Sequence, residues 1–226
     1  MTTATMPAFT FDPAAHVYKL YGRRLESVTE VLAENGWINS DWFRPIHSLR
    51  GVRAHLYCQW VDEGEDKASV FKIAAADKGF DFGQGFEPYW PDAPEQGLDG
   101  CLESWIKFRE WMRFDVLDNE TPLYHPKMLY AGTPDRRASY ARGQIILDLK
   151  TGGPEPWNGF QLAAYAGLYL EANAFRRFGV YLQSDGARAI TKEYDDYSDF
   201  SIFSAMLACT RARAKHRIKP IKGDQS

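Results

Sequence analysis

The stretch from Tyr130 to Lys150, YAGTPDRRASYARGQIILDLK, constrains this chain more than any other. The turn residues Tyr140-Ala141-Arg142-Gly143 divide two apolar-flanked arms, which predicts a β-hairpin. The second arm is an almost continuous apolar run that ends in Asp148-Leu149-Lys150. Residues two apart on a strand share a face, so Asp148 and Lys150 point one way and Leu149 points into the opposite layer. Asp135 follows a Gly-Thr-Pro bend on the first arm, and the hairpin brings it opposite Asp148. Two carboxylates and an ammonium at the end of a buried strand are costly to desolvate without a counter-ion. A bound divalent cation removes that cost and leaves the lysine free to face a phosphate or a water.

The remaining chain reads as a scaffold for this hairpin. Phe9–Asp12 and His16–Arg23 predict a short hairpin, and Ser27 with Glu30 three residues on predicts a capped helix over Val28–Glu34, ended by Gly36. Helical spacing predicts further helices over about Leu49–Glu63, Ala68–Ala76, Leu102–Phe114 and Trp157–Ala172, and a last one from Asp196 or Ser198 to about Arg213. Strands are expected over Asp115–Tyr124, Met128–Thr133, Phe178–Gln183 and Ala187–Tyr194. The Gly-, Pro- and acid-rich text of about 78–100 reads as an insertion whose aromatics pack back on the body, with a base-stacking groove wall as the alternative. The order argues for one α/β domain over 1–226, a mixed central sheet flanked by helices, with an N-terminal hairpin and helix extension over about 1–47.

A net charge of −3 does not announce a nucleic-acid binder, but the charge is uneven. Acids gather between Asp77 and Asp99, whereas Arg211, Arg213, Lys215, Arg217, Lys219 and Lys222 form a basic tail over about 211–226. That tail is either a solvated end or an arm that contacts phosphates. Cys58, Cys101 and Cys209 are far apart and include no CxxC pair, which argues against a zinc site or an iron–sulfur cluster and for small buried apolar residues of a reducing compartment. No run is long enough for a membrane span and the N-terminus lacks the form of a signal peptide, so a cytoplasmic protein is expected.

Pro134-Asp135 followed by Asp148-Leu149-Lys150 is a literal PD…DXK pattern. With it, GTPDRR resembles a G-x-x-D-R element and ILDLKTG a D-x-K-T-G element. Gln161-Leu162-Ala163-Ala164-Tyr165 resembles a Q-x-x-x-Y motif, and Gly51-Val52-Arg53-Ala54-His55 an upstream helical motif ending in histidine. On these residues the chain resembles the PD-(D/E)XK nuclease superfamily, in its RecB-like branch, and most of all the small stand-alone phage-type nucleases of that branch. The likeness covers roughly His55 to the C-terminus. D-x-K alone is common by chance; the specificity lies in four motifs in order, each on the secondary structure it needs.

The resemblance implies a restriction-endonuclease-like fold and hydrolysis of DNA phosphodiester bonds with Mg2+ or Mn2+, leaving a 5′-phosphate and a 3′-hydroxyl. It implies that His55, by position alone an ordinary packed histidine, joins Asp135, Asp148 and the backbone carbonyl of Leu149 around one hard cation. Lys150 would orient the attacking water and offset transition-state charge. Gln161 and Tyr165, four apart on one helix, would line the site and hold Lys150, ordinary helix packing being the alternative for Tyr165. Glu120 is a weaker candidate ligand, and Glu103 reads as a solvated acid. Arg136 is expected to pair with a carboxylate or, with Arg211, Arg213 and Lys215, to bind DNA; Arg137 is expected to be solvated. The chain carries no P-loop, so a recombinase, annealing protein or helicase partner would be a separate chain. The rival reading is a non-catalytic nucleic-acid-binding or assembly protein that keeps the fold.

Overall fold

The structure is a computed structural model and describes residues 8–38, 45–70, 98–170 and 174–220, with the backbone only for 45–50. The chain opens with β1 (Phe9–Asp12), β2 (Val17–Leu20), β3 (Arg23–Ser27), α1 (Val28–Glu34) and α2 (Pro45–Asp62). It continues through α3 (Leu98–Met112), β4 (Asp115–Asn119), β5 (Leu123–Tyr124), β6 (Tyr130–Gly132), β7 (Arg136–Tyr140) and β8 (Gly143–Lys150). It closes with α4 (Asn158–Leu168), β9 (Phe175–Tyr181), β10 (Ile190–Glu193) and α5 (Asp199–His216). The fold is mixed α/β with two mixed sheets flanked by helices.

The second sheet, in the order β10-β9-β8-β7-β4, carries the hairpin. β7 pairs antiparallel with β8, and β8 pairs parallel with β9 through the crossover helix α4. β8 separates two apolar layers, as the alternation along it requires. Ile145, Leu147 and Leu149 pack with Ala54, Tyr57 and Cys58 of α2 and Trp105 and Phe108 of α3. Ile146 packs on the other face with Leu162 and Tyr165 of α4 and Phe203 of α5. Each of those fully buried aliphatic side chains contributes about 2 kcal/mol, which is what holds a strand ending in charge inside the domain.

One mixed sheet was expected and two are present. β6 leaves the hairpin sheet and pairs parallel with β3, forming a first sheet in the order β1-β2-β3-β6-β5. The break falls at Thr133-Pro134, where proline offers no N–H to a ladder. The N-terminal hairpin is therefore part of that five-stranded first sheet rather than an appendage. Gly132 lets that sheet approach α4, because a Cβ there would lie 2.9 Å from Tyr165 Cε1 and 3.1 Å from Val28 Cγ2.

Local signals fared well where chemistry is local. Ser27 and Glu30 form a reciprocal capping box at α1. Several boundaries shifted. α2 starts at Pro45, α3 starts at Leu98 within the expected insertion, and α5 runs through Arg213 to His216, so the basic tail begins as helix. The expected helix at Ala68–Ala76 is described only to residue 70, and residues 78–97 of the expected insertion and 221–226 of the expected basic tail lie outside the described residues. Cys58 and Cys101 are buried, but Cys209 is exposed on α5 and corrects the expectation of three buried thiols. Among the described residues no helix is long and apolar enough to cross a membrane.

Candidate active site

The register Arg136↔Leu147 places Asp135, one residue before β7, across from Asp148 at the end of β8. Asp135 is buried, and its Oδ2 accepts the Leu149 N–H at 2.6 Å. From the α2 layer, His55 Nε2 donates to the Leu149 carbonyl at 2.9 Å, while its Nδ1 lies 3.5 Å from both Asp135 Oδ2 and Glu120 Oε1. His55, Glu120 and Asp135 each bring a potential ligand atom into a group within 4.8 Å of one another. Glu120 is fixed there by its backbone: it adopts a left-handed φ of 46°, and its N–H donates to the Asp135 carbonyl at 3.0 Å.

Asp148 stands on the other side of β8. Lys150 Nζ lies 2.6 Å from Asp148 Oδ2, a buried ion pair. Lys150 Nζ also donates to Gln161 Oε1 at 2.9 Å, and Gln161 Nε2 donates to the Tyr165 hydroxyl at 3.1 Å. The Trp157 ring lies 5.2 Å from the same ammonium, a cation–π contact that the sequence reading did not include. α4 thus delivers Gln161 and Tyr165 one turn apart to the face that carries Asp148 and Lys150.

Burial and mutual proximity shift the titration of several groups in this cluster. Burial opposes the His55 imidazolium, but Asp135 and Glu120 outweigh it and push the pKa up to about 9. Burial, with Asp135 nearby, pushes Asp148 up to about 6 despite Lys150. Asp135 is raised by burial against the pull of His55. Burial disfavours the Lys150 ammonium, yet Asp148 and Asp135 hold its pKa above the ordinary value. Without a metal, protons and the imidazolium supply the positive charge that the carboxylates require. The α2-side donor set fits a hard divalent cation, with two carboxylates, one imidazole and the nearby Leu149 carbonyl, whereas Asp148 on the adjoining strand end lies outside that group.

The remaining candidates fall into place differently. Arg136 is not a DNA contact. It is fully buried, touching Asp62 and lying 3.2 Å from Glu120 Oε1, because β7 turns it into the core between α2 and α3. Arg137 is not free in solvent, since it pairs with Asp118 and lies 4.8 Å over the Tyr169 ring. Arg211 is engaged by Glu26 and the carbonyls of Met128 and Leu129, and Arg213 by Asn35 and the Glu34 carbonyl. Both tie α5 to the N-terminal half, and Lys215 alone of the DNA candidates is exposed. Glu103 pairs with Lys67 and Lys107. Asp62 was missed altogether. Its signal was present, for it lies seven residues after His55, two turns along the same helix face.

Comparison of the chain with protein-family models and with curated proteins gives no match.

Proposed function

We propose that this chain is a Mg2+- or Mn2+-dependent nuclease that hydrolyses DNA phosphodiester bonds, acting as an exonuclease on a restriction-endonuclease-like fold of the PD-(D/E)XK type. The observation that carries this reading is the convergence of His55, Glu120 and Asp135 around one point, with Asp148 and Lys150 on the adjoining strand end. A parallel β8–α4–β9 unit beside an antiparallel β7–β8 hairpin supports the fold assignment. Under the same reading the protein works in the cytoplasm, in recombination, repair or phage DNA metabolism, with any recombinase, annealing protein or helicase on a separate chain.

His55, Glu120, Asp135, Asp148 and the Leu149 carbonyl would hold the cation. When bound, it supplies Lewis acidity toward a phosphate oxygen and lowers the pKa of water. The chain's own residues do the rest. Lys150 presents a compact positive charge to the attacking water and to the charge that grows on the phosphate. Gln161 fixes the direction of that ammonium by accepting one of its protons, and Tyr165 fixes Gln161. Asp148 and Asp135 favour the ammonium form of Lys150 against its burial, which suits an electrostatic role.

The test is incubation of the pure protein with linear, circular and single-stranded DNA in Mg2+, Mn2+ or EDTA. Degradation that requires metal and a free end is expected. DNA binding without cleavage under either metal would replace this reading with that of a non-catalytic binding protein.

A further inference from the structure

Arg136 and Asp62 are closed to substrate, yet together they reach every candidate ligand residue on the α2 side. The side chains are 0% and 1% exposed. Arg136 Nε contacts Asp62 Oδ2, and Asp62 Oδ1 accepts from Arg109 Nη1 at 2.8 Å and Trp105 Nε1 at 3.1 Å. From that anchored position Arg136 Nη1 donates to the Asp135 carbonyl at 2.7 Å and to Glu120 Oε1 at 3.2 Å. Its Nη2 donates to the His55 carbonyl at 3.5 Å. One planar fork therefore spans α2, β7 and the residue that follows β4.

Stability alone does not explain this arrangement. A buried carboxylate and guanidinium are expensive to desolvate, and an apolar pair of the same volume stabilises as well or better. Asp62 also ends a helix, where the backbone dipole disfavours negative charge. What the ion pair provides is direction, since a guanidinium presents several donors in fixed geometry. We infer that the Asp62–Arg136 pair is a positioning device that holds His55, Glu120 and Asp135 at one mutual spacing and so sets how tightly the site holds Mg2+ or Mn2+. This rests on the metal-dependent reading above.

The test is calorimetric titration of Mn2+ into folded wild type, Asp62→Asn and Arg136→Lys. Asp199→Asn serves as a control, because it breaks the buried Arg177 Nη1–Asp199 Oδ2 pair, 3.0 Å long, away from the ligands. Groups behind metal ligands typically change affinity ten- to a hundredfold, so Asp62→Asn and Arg136→Lys are expected to weaken Mn2+ binding by roughly that factor. Asp199→Asn is expected to lower the melting temperature while keeping wild-type affinity. Wild-type Mn2+ affinity in folded Asp62→Asn, or an equal loss in Asp199→Asn, overturns the positioning role and leaves the pair a staple. A wild type that binds no Mn2+ overturns the metal-dependent reading instead. If neither variant folds, the Arg136 Nε–H resonance of wild type decides. It is expected to shift along a Mg2+ titration, and an unmoved resonance at saturation overturns the inference.

Discussion

On the α2 side of the candidate site the ligand residues are held by charge, whereas on the α4 side the lysine is held by a relay of neutral groups. His55, Glu120 and Asp135 crowd together against a buried guanidinium, and the two carboxylates favour the protonated form of His55. Lys150 has its counter-ion in Asp148 and its orientation from Gln161 and Tyr165. The first side is incomplete without added positive charge; the second is nearly satisfied as it stands. The contrast separates two tasks, holding a cation and presenting an ammonium, and mutations should separate them too.

The largest effect is expected from Asp135→Asn. It removes the negative charge and leaves a single oxygen that cannot both accept the Leu149 N–H and bind a cation, so both Mn2+ binding and DNA cleavage should be lost. Calorimetry and a gel assay check this. Lys150→Ala should split the two sides. Cleavage should fall roughly 10²–10³-fold, the scale of losing a preorganised charge-stabilising group, while Mn2+ affinity stays near wild type. An equal loss of both would erase the contrast. Gln161→Ala should slow cleavage by about tenfold, through loss of one hydrogen bond to a charged group, with Mn2+ affinity unchanged.

Acidity sharpens the same comparison. His55 is raised from 6.5 to about 9, so its contribution to metal-free stability is full below 6.5 and is lost as pH rises through 9. Asp148 is raised from 3.8 to about 6, so its contribution likewise fades as pH rises through 6. The metal-free protein should therefore lose melting temperature between about pH 4 and 9, and the gain on adding Mg2+ should grow over the same range. Thermal melts across pH with and without metal check both. The smallest effect is expected from Tyr165→Phe, a few-fold in rate, because the hydroxyl acts on Lys150 only through Gln161.

What was legible in the sequence is what short-range physics governs. The capping box at Ser27 needs only Glu30, and the alternation along β8 needs only the strand itself to put Asp148 and Lys150 on one face. The split into two sheets was harder to read, because β6 pairs with β3 about a hundred residues upstream; Pro134 was its only local trace. Arg136 was read as pairing with a carboxylate or a phosphate, because a sequence shows its charge but not that Asp62 awaits it. Asp62 went unread for the mirror-image reason. Arg211 and Arg213 read as part of a solvated end or a phosphate arm, whereas Glu26 and Asn35 occupy them.

Anomalous diffraction from crystals soaked in Mn2+ tests most directly whether a cation belongs between these strands. The expected result is one strong peak bounded by His55, Glu120, Asp135, Asp148 and the Leu149 carbonyl, absent from Asp135→Asn crystals. Saturating Mn2+ that leaves this position empty, or a peak confined to another part of the surface, would contradict it.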